Sequence, residues 1–291
     1  MANLKDIRTR ISSVKSTRQI TNAMKMVSAS KLRKAQNAIT QLRPYTNKLN
    51  EILSRLSDVK GGSVDNIYAK ERKEEKVLIV AISSNRGLCG PFNSNVVKRI
   101  VELSEKQYSE QYKKGNLSIL TLGSKSGQIL EAKGFYISAN FDDVYDDMSF
   151  EKVSEIAEKF MTEFAENKYD KIELVYNRFK NAAVQILIQE QFLPIKPETN
   201  SSNDSNDYIF EPSQEYIFET LIPDSLKTQL FTALTDSFAS EQGARMTAMH
   251  QATDNASEMI RSLTLSYNKA RQAAITKEIL EITAGAEALN G

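Results

Sequence analysis

The residues best placed by type and spacing to do chemistry lie in the loop Ser84-Asn85-Arg86-Gly87-Leu88-Cys89-Gly90-Pro91-Phe92-Asn93. It follows an apolar run and precedes a helical one, the order in which α/β proteins hold nucleotides. A dinucleotide loop needs Gly-x-Gly-x-x-Gly so that its backbone can approach the pyrophosphate. Here the glycines stand as Gly-x-x-Gly with no third, and no Gly-x-x-x-x-Gly-Lys-Ser/Thr phosphate loop occurs. The loop therefore reads as a structural turn with a surface role. Gly123-Ser124-Lys125-Ser126-Gly127 has the glycines of a nucleophile elbow but a lysine at its centre, so that chemistry fails too. His250 is the only histidine, and Cys89, the only cysteine, cannot complete a soft-metal site with it. His250 reads as a surface or interface residue. Asp142, Asp143, Asp146 and Asp147 share one loop without calcium-loop spacing, so a solvated acidic loop is expected. No catalytic, cofactor-binding or metal-ligating set emerges.

The elements around these residues are more informative. From Pro223 to about Leu289 there is no further proline, and only Gly243 and Gly285 interrupt. Leu226, Leu230, Leu234 and Phe238, then Ala244, Ala248, Ala252 and Ala256, then Met259, Leu263, Ala270 and Ala274 recur at helical spacing. Pro223 suits a first helical turn, with Asp224 at the positive end of the helix dipole. One helix over this stretch would be about 100 Å long and would need a second helix or another protein to cover it. The other chain end supplies a partner. Leu4, Ile7, Ile11 and Val14 alternate steps of three and four, and Ile20, Met24, Val27, Leu32, Ala35, Ile39 and Leu42 continue the stripe. Pro44 is expected to kink or break this first helix, which Gly61-Gly62-Ser63 ends.

Between the helices the pattern changes. Val77–Ile82 is a continuous apolar run, as in a strand buried on both faces. Helices are expected at Asn95–Lys113, Ser124–Lys133 and Ser149–Asn167, and strands at Leu117–Leu122, Phe135–Phe141, Lys171–Tyr176 and Ala183–Gln191. Alternation of this kind is an open, Rossmann-like α/β domain. Pro194–Asp207 reads as a solvated loop, and Tyr208–Phe210 as an edge strand. The fold class is α/β with long helices: an antiparallel coiled coil of the two terminal helices plus an inserted α/β domain. The expected division is 1–60, 76–212 and 213–291.

Of 291 residues, 41% are hydrophobic, enough for a core. The net charge is +1, but residues 1–60 carry 13 Lys or Arg against 3 Asp or Glu, while 207–291 carry 6 against 12. A basic first helix beside an acidic last one favours their pairing, though exposed pairs are individually weak. Lys15, Arg18, Lys25, Lys31, Arg33 and Lys34 would equally suit the phosphates of a nucleic acid. The sustained apolar seam beside those charges favours an acidic protein sleeve, and a nucleic-acid-binding coiled coil stands as the alternative. A single cysteine excludes an internal disulfide and fits a reducing compartment. The start has no apolar segment of signal-peptide type, and no run of about 18 apolar residues is present.

Ile-Thr-Asn-Ala-Met-Lys-Met-Val-Ser-Ala-Ser-Lys-Leu-Arg-Lys-Ala, from Ile20 to Ala35, closely resembles the first helix of the gamma subunits of F-type ATP synthases. Tyr267-Asn268-Lys269-Ala270-Arg271-Gln272-Ala273-Ala274-Ile275-Thr276-Lys277-Glu278, continuing through Glu281 to Gly285-Ala286-Glu287-Ala288, resembles that family's C-terminal signature. Ser240–Met249 and Asn85–Gly90 match as well, and only Thr199–Asp207 is atypical. The resemblance implies an antiparallel helix pair turning inside a hexamer of three alpha and three beta subunits. A foot would meet the epsilon subunit and the c-ring, and there would be one copy per complex. It implies no cofactor and no catalysis by this chain, no nucleic acid, membrane contact only through the c-ring, and a peripheral place on the cytoplasmic face of a bacterial plasma membrane. It assigns Met24 and Lys25 to the beta levers, and Arg271, Gln272 and Thr276 with the supporting Arg245 to the beta catch region. Gly87, Leu88 and Cys89 are placed in a loop at the foot.

Overall fold

The computed structural model describes residues 4–58, 67–70, 72–195 and 214–290. Helix α1 is Leu4–Asp58 and helix α6 is Gln214–Asn290, 55 and 77 residues. Between them lie β1 (Val77–Ile82), α2 (Phe92–Glu102), α3 (Ser109–Lys113), β2 (Leu117–Leu122), α4 (Ser124–Ala132), β3 (Ile137–Asn140), α5 (Phe150–Ala165), β4 (Lys171–Phe179) and β5 (Gln185–Leu193). The chain divides into two compact units, Met1–Ser28 with Met246–Gly291, and Ala29–Arg245. Both long helices contribute to each unit.

The larger unit is built on one five-stranded sheet of order β3-β2-β1-β4-β5. β3, β2, β1 and β4 are parallel, and β5 returns antiparallel to β4. Every residue of β1 is fully buried, because alternate side chains enter two different cores. Leu78, Val80 and Ile82 meet the apolar face of α5 (Val153, Ile156, Ala157, Phe160 and Phe164) and the α6 positions Leu226, Leu230 and Leu234. Val77, Ile79 and Ala81 meet Val96, Val97 and Ile100 of α2 and Leu130 of α4. Within this unit α1 runs antiparallel to α6: the Thr46 and Thr232 hydroxyls are 3.4 Å apart, and Arg43 reaches Asp236.

The smaller unit is an antiparallel helix pair. Arg8 donates to the Tyr267 hydroxyl (3.0 Å) and lies over its ring, and the hydroxyls of Thr21 and Thr253 are 2.8 Å apart. Thirteen residues of α1 thus span fourteen of α6, an even antiparallel register. Ile7, Met249 and Ala256 are its buried apolar positions, with Ser28 and Thr21 in the same seam.

Three local expectations need correction. Pro44 neither breaks α1 nor ends it. The proline removes the hydrogen bond to the Thr40 carbonyl, but buried Ile39 and Leu49 on either side hold the helix in place. α6 begins before Pro223, at Gln214, so the proline is interior and not in the first turn. The single helix expected over 95–113 is instead α2, a π-helical turn at Leu103–Gln107, and α3. The extra residue of the π turn lets the Tyr108 amide bond the Leu103 carbonyl (2.8 Å), and the Tyr108 ring is 1% exposed, over Lys171. The expected strand at Tyr208–Phe210, the Gly61–Ser63 terminus and the Thr199–Asp207 loop lie outside the described residues.

Candidate functional site

In an open α/β sheet ligands enter where strand order reverses, beyond the carboxyl ends of the strands. Here that place lies beyond β1 and β4. The polar groups of the β1 loop are bonded to one another. The Ser83 hydroxyl reaches the Gly123 carbonyl (3.1 Å) and the Ser126 hydroxyl (2.7 Å). Asn93 accepts from the Ser84 amide (3.0 Å) and donates to the Ser84 hydroxyl (2.8 Å). The first amide of α4, a natural anion donor, is capped by the Asn85 side-chain oxygen at 3.1 Å. Gly123 makes this closeness possible: its φ is +105°, and a Cβ would lie 2.2 Å from the Ser83 carbonyl oxygen.

Helix α6 fills the rest. Gly243 lies against Ala182 and Phe179 just past β4, with its missing Cβ 3.3 Å from the Ala182 backbone. Ala244 packs with Cys89 and Phe92. Arg245 donates to the carbonyls of Arg86 (2.9 Å) and Gly87 (3.3 Å) and pairs with Glu241 one turn earlier. Both members of that pair are more than nine-tenths buried. Burial pushes the Glu241 carboxyl up and Arg245 pulls it back down. Burial likewise raises the Cys89 thiol, which keeps it protonated and unreactive. The loop therefore acts as a braced surface element. Leu88 is its outward residue, 64% exposed on a left-handed backbone with φ 64°. Among the described residues no acid, cysteine and histidine set could hold a metal. Asp143 is tied to Lys152 at 2.9 Å, and exposed His250 lies 3.4 Å from Asp254.

The residues singled out for coupling form three stations. Met24 and Lys25 are half-buried on α1 in the helix-pair unit, beside exposed Ile20, Met26 and Val27. Arg271, Gln272 and Thr276 are exposed on α6 in the same unit. The pairing of Thr21 with Thr253 sets Met24 near position 250, so Gln272 stands about 30 Å further along α6. Arg8 opposite Tyr267 puts the start of α1 near position 271, so α6 beyond it has no α1 residues alongside. Every described side chain from Arg271 to Glu287 is exposed, including Ile275, Ile279, Leu280 and Ile282. Arg245 belongs to the third station, in the other unit, where it grips the Gly87–Cys89 loop. Glu241, which holds Arg245, escaped the sequence reading. Its signal was a carboxylate one turn before an arginine on the core-facing side of the helix.

A surface loop braced from α6 beside a crevice that α6 fills, and a helix pair whose tip exposes apolar side chains, define a protein built to present surfaces to other chains rather than to hold a small ligand. The ATP synthase family model matches residues 3–289. The ATP synthase gamma chain of Christiangramia forsetii is 58% identical, and that of Flavobacterium johnsoniae 56%, each over the full length of both chains. Among solved structures, a chain of the Tetrahymena thermophila mitochondrial ATP synthase central stalk and c-ring is 26% identical. It has a TM-score of 0.58 and covers 80% of this chain and 99% of that one. A rotor chain of the Euglena gracilis enzyme, at 22% identity, shares the fold with TM-score 0.65 over 94% and 98%. This chain belongs to the ATP synthase gamma chain family.

Proposed function

We propose that this chain is the central rotor shaft of an F-type ATP synthase, carrying torque between an ion-driven c-ring and an alpha–beta hexamer. The observation that carries the reading is the end of α6, where every described side chain from Arg271 to Glu287 is exposed. An apolar stripe of Ile275, Ile279 and Ile282 at 46–71% exposure needs a sleeve, and a sleeve made by other subunits would let the helix turn inside it. Residues 1–60 and 213–291 form the shaft and 76–212 the foot domain, which meets the epsilon subunit and the c-ring. Met24 and Lys25 face the beta levers, Arg271, Gln272 and Thr276 the beta catch, and the Gly87–Cys89 loop, held by Arg245, is a contact point of the foot.

The chain itself is non-catalytic. Its α/β crevice is occupied by its own α6, and the nucleotide chemistry belongs to the beta subunits. Coupling is a difference in contact free energy: a shaft at one angle favours one beta conformation, and ATP-driven changes in beta push the shaft in return. The protein is peripheral, on the cytoplasmic face, touching the membrane only through the c-ring; no described helix is long and apolar enough to cross it. Reconstitution with alpha, beta and epsilon subunits tests the reading. A bead attached to the foot domain should rotate on addition of ATP, in one direction and one copy per hexamer. Hydrolysis with no rotation, or ATPase activity of the chain alone, would overturn it.

A further inference from the structure

Within the larger unit, the seam between α1 and α6 contains one carboxylate that the shaft reading does not use. Asp236 is 3% exposed, and its Oδ1 has no hydrogen-bond partner. The facing cation from α1, Arg43, stops at 3.7 Å, beyond hydrogen-bond reach, and its half-exposed guanidinium is shared with the Phe179 carbonyl at 3.5 Å. From β4, Arg178 and Tyr176 face the same carboxylate, and from β5 Glu190 does. Tyr176 donates to Glu190 (2.8 Å), as does Gln229, so that negative charge stays committed beside Asp236. One residue along α1 from Arg43 is Pro44, where the helix lacks a backbone hydrogen bond. A buried acid with one oxygen unfilled thus sits opposite the turn of α1 that lacks a backbone hydrogen bond.

We propose that Asp236 is a proton-binding latch: protonated from solvent it lets the α1–α6 seam at Arg43–Thr46 close, and ionised it loosens that seam. An ionised carboxylate with an unfilled oxygen costs far more in this seam than the neutral acid does. Opening the α1 turn admits water to the carboxylate and relieves the cost. The direction of its titration agrees. Burial, outweighing Arg43 and Arg178, pushes the Asp236 carboxyl up from 3.8 to about 6. With the closed-state value above the open-state one, closure is fully favoured below about pH 4 and weakens as pH rises toward 6. Two pH units of separation correspond to about a hundredfold in the open population. The grip of the sheet domain on α1 therefore becomes pH-dependent, a stiffness control independent of what the shaft meets at its tip.

Amide hydrogen exchange of the full-length chain, read on peptides covering residues 40–48 and corrected for intrinsic rates, tests the latch from pH 4 to 8. The native chain should show opening that grows at least tenfold as pH rises to about 6 and then levels. Asp236→Asn should stay slow throughout. Glu190→Gln, which keeps Asp236 but removes the adjacent negative charge, should move the transition to lower pH. A pH profile of the native chain that matches Asp236→Asn would overturn the proposal. Should Asp236→Asn fail to fold, Glu190→Gln alone decides: a lowered midpoint supports the latch, and an unmoved one overturns it.

Discussion

Replacing Arg245 by methionine tests whether the loop after β1 is held from α6. The substitution keeps most of the side-chain length and the helix propensity. It leaves Glu241 buried without its paired cation and removes the Arg245 bonds to the Arg86 and Gly87 carbonyls, of which Arg86 keeps the Ser84 hydroxyl at 2.7 Å. Breaking a buried ion pair from one side costs about 3–5 kcal/mol, and the lost bonds to the loop carbonyls add to it. The expected loss at neutral pH is therefore about 4 kcal/mol. The double variant Arg245→Met, Glu241→Met removes both charges together, and much of the loss should return, leaving about 1–2 kcal/mol for the two lost bonds to the loop carbonyls. The pH response separates this cause from simple misfit. The Glu241 carboxyl is already raised by burial, and losing Arg245 raises it further. A raised acid favours the folded state at low pH and stops doing so as pH rises through its folded value. The single variant should thus be least damaged in mild acid and most damaged above neutrality. Urea titrations followed by tyrosine fluorescence would measure this, the chain having eleven tyrosines and no tryptophan. A double variant as unstable as the single, or a single-variant loss that is flat with pH, would refute the reasoning.

Gly123→Ala should cost at least about 2 kcal/mol, since strained backbone alone costs about 1–3 and its Cβ would strike the Ser83 carbonyl; an unchanged urea midpoint would contradict this. Ile279→Asp, at a site 55% exposed, should leave the thermal midpoint of the isolated chain within about 1 °C, because surface changes are small. The same substitution should slow ATP-driven rotation of the assembled complex severalfold, and normal rotation would argue against a close apolar sleeve around α6.

Much of the architecture is legible from periodicity alone. Helical-period stripes located both terminal helices, and an unbroken apolar run located β1, because one-sided and two-sided burial leave different residue patterns. The prolines misled about where the long helices are continuous: α1 runs through Pro44, and α6 begins before Pro223. Propensity penalises an interior proline locally, whereas the packing that tolerates Pro44 is supplied by Ile39, Leu49 and the Thr46–Thr232 contact. The π turn before Tyr108 was equally hidden, since its cause is Tyr108 packing against Lys171 of a strand more than sixty residues away.

The sequence alone determined the fold class, the lack of a nucleotide fingerprint and the residues that mark the family, for these depend on neighbours within a turn or a strand. Tertiary structure alone decided that Arg245 belongs with the Arg86–Gly87 backbone and that Asp236 is buried without a hydrogen bond at Oδ1. It also decided that α6 outruns its partner near Arg271. Those facts depend on which distant groups meet and on how much water remains between them, and a linear pattern carries neither.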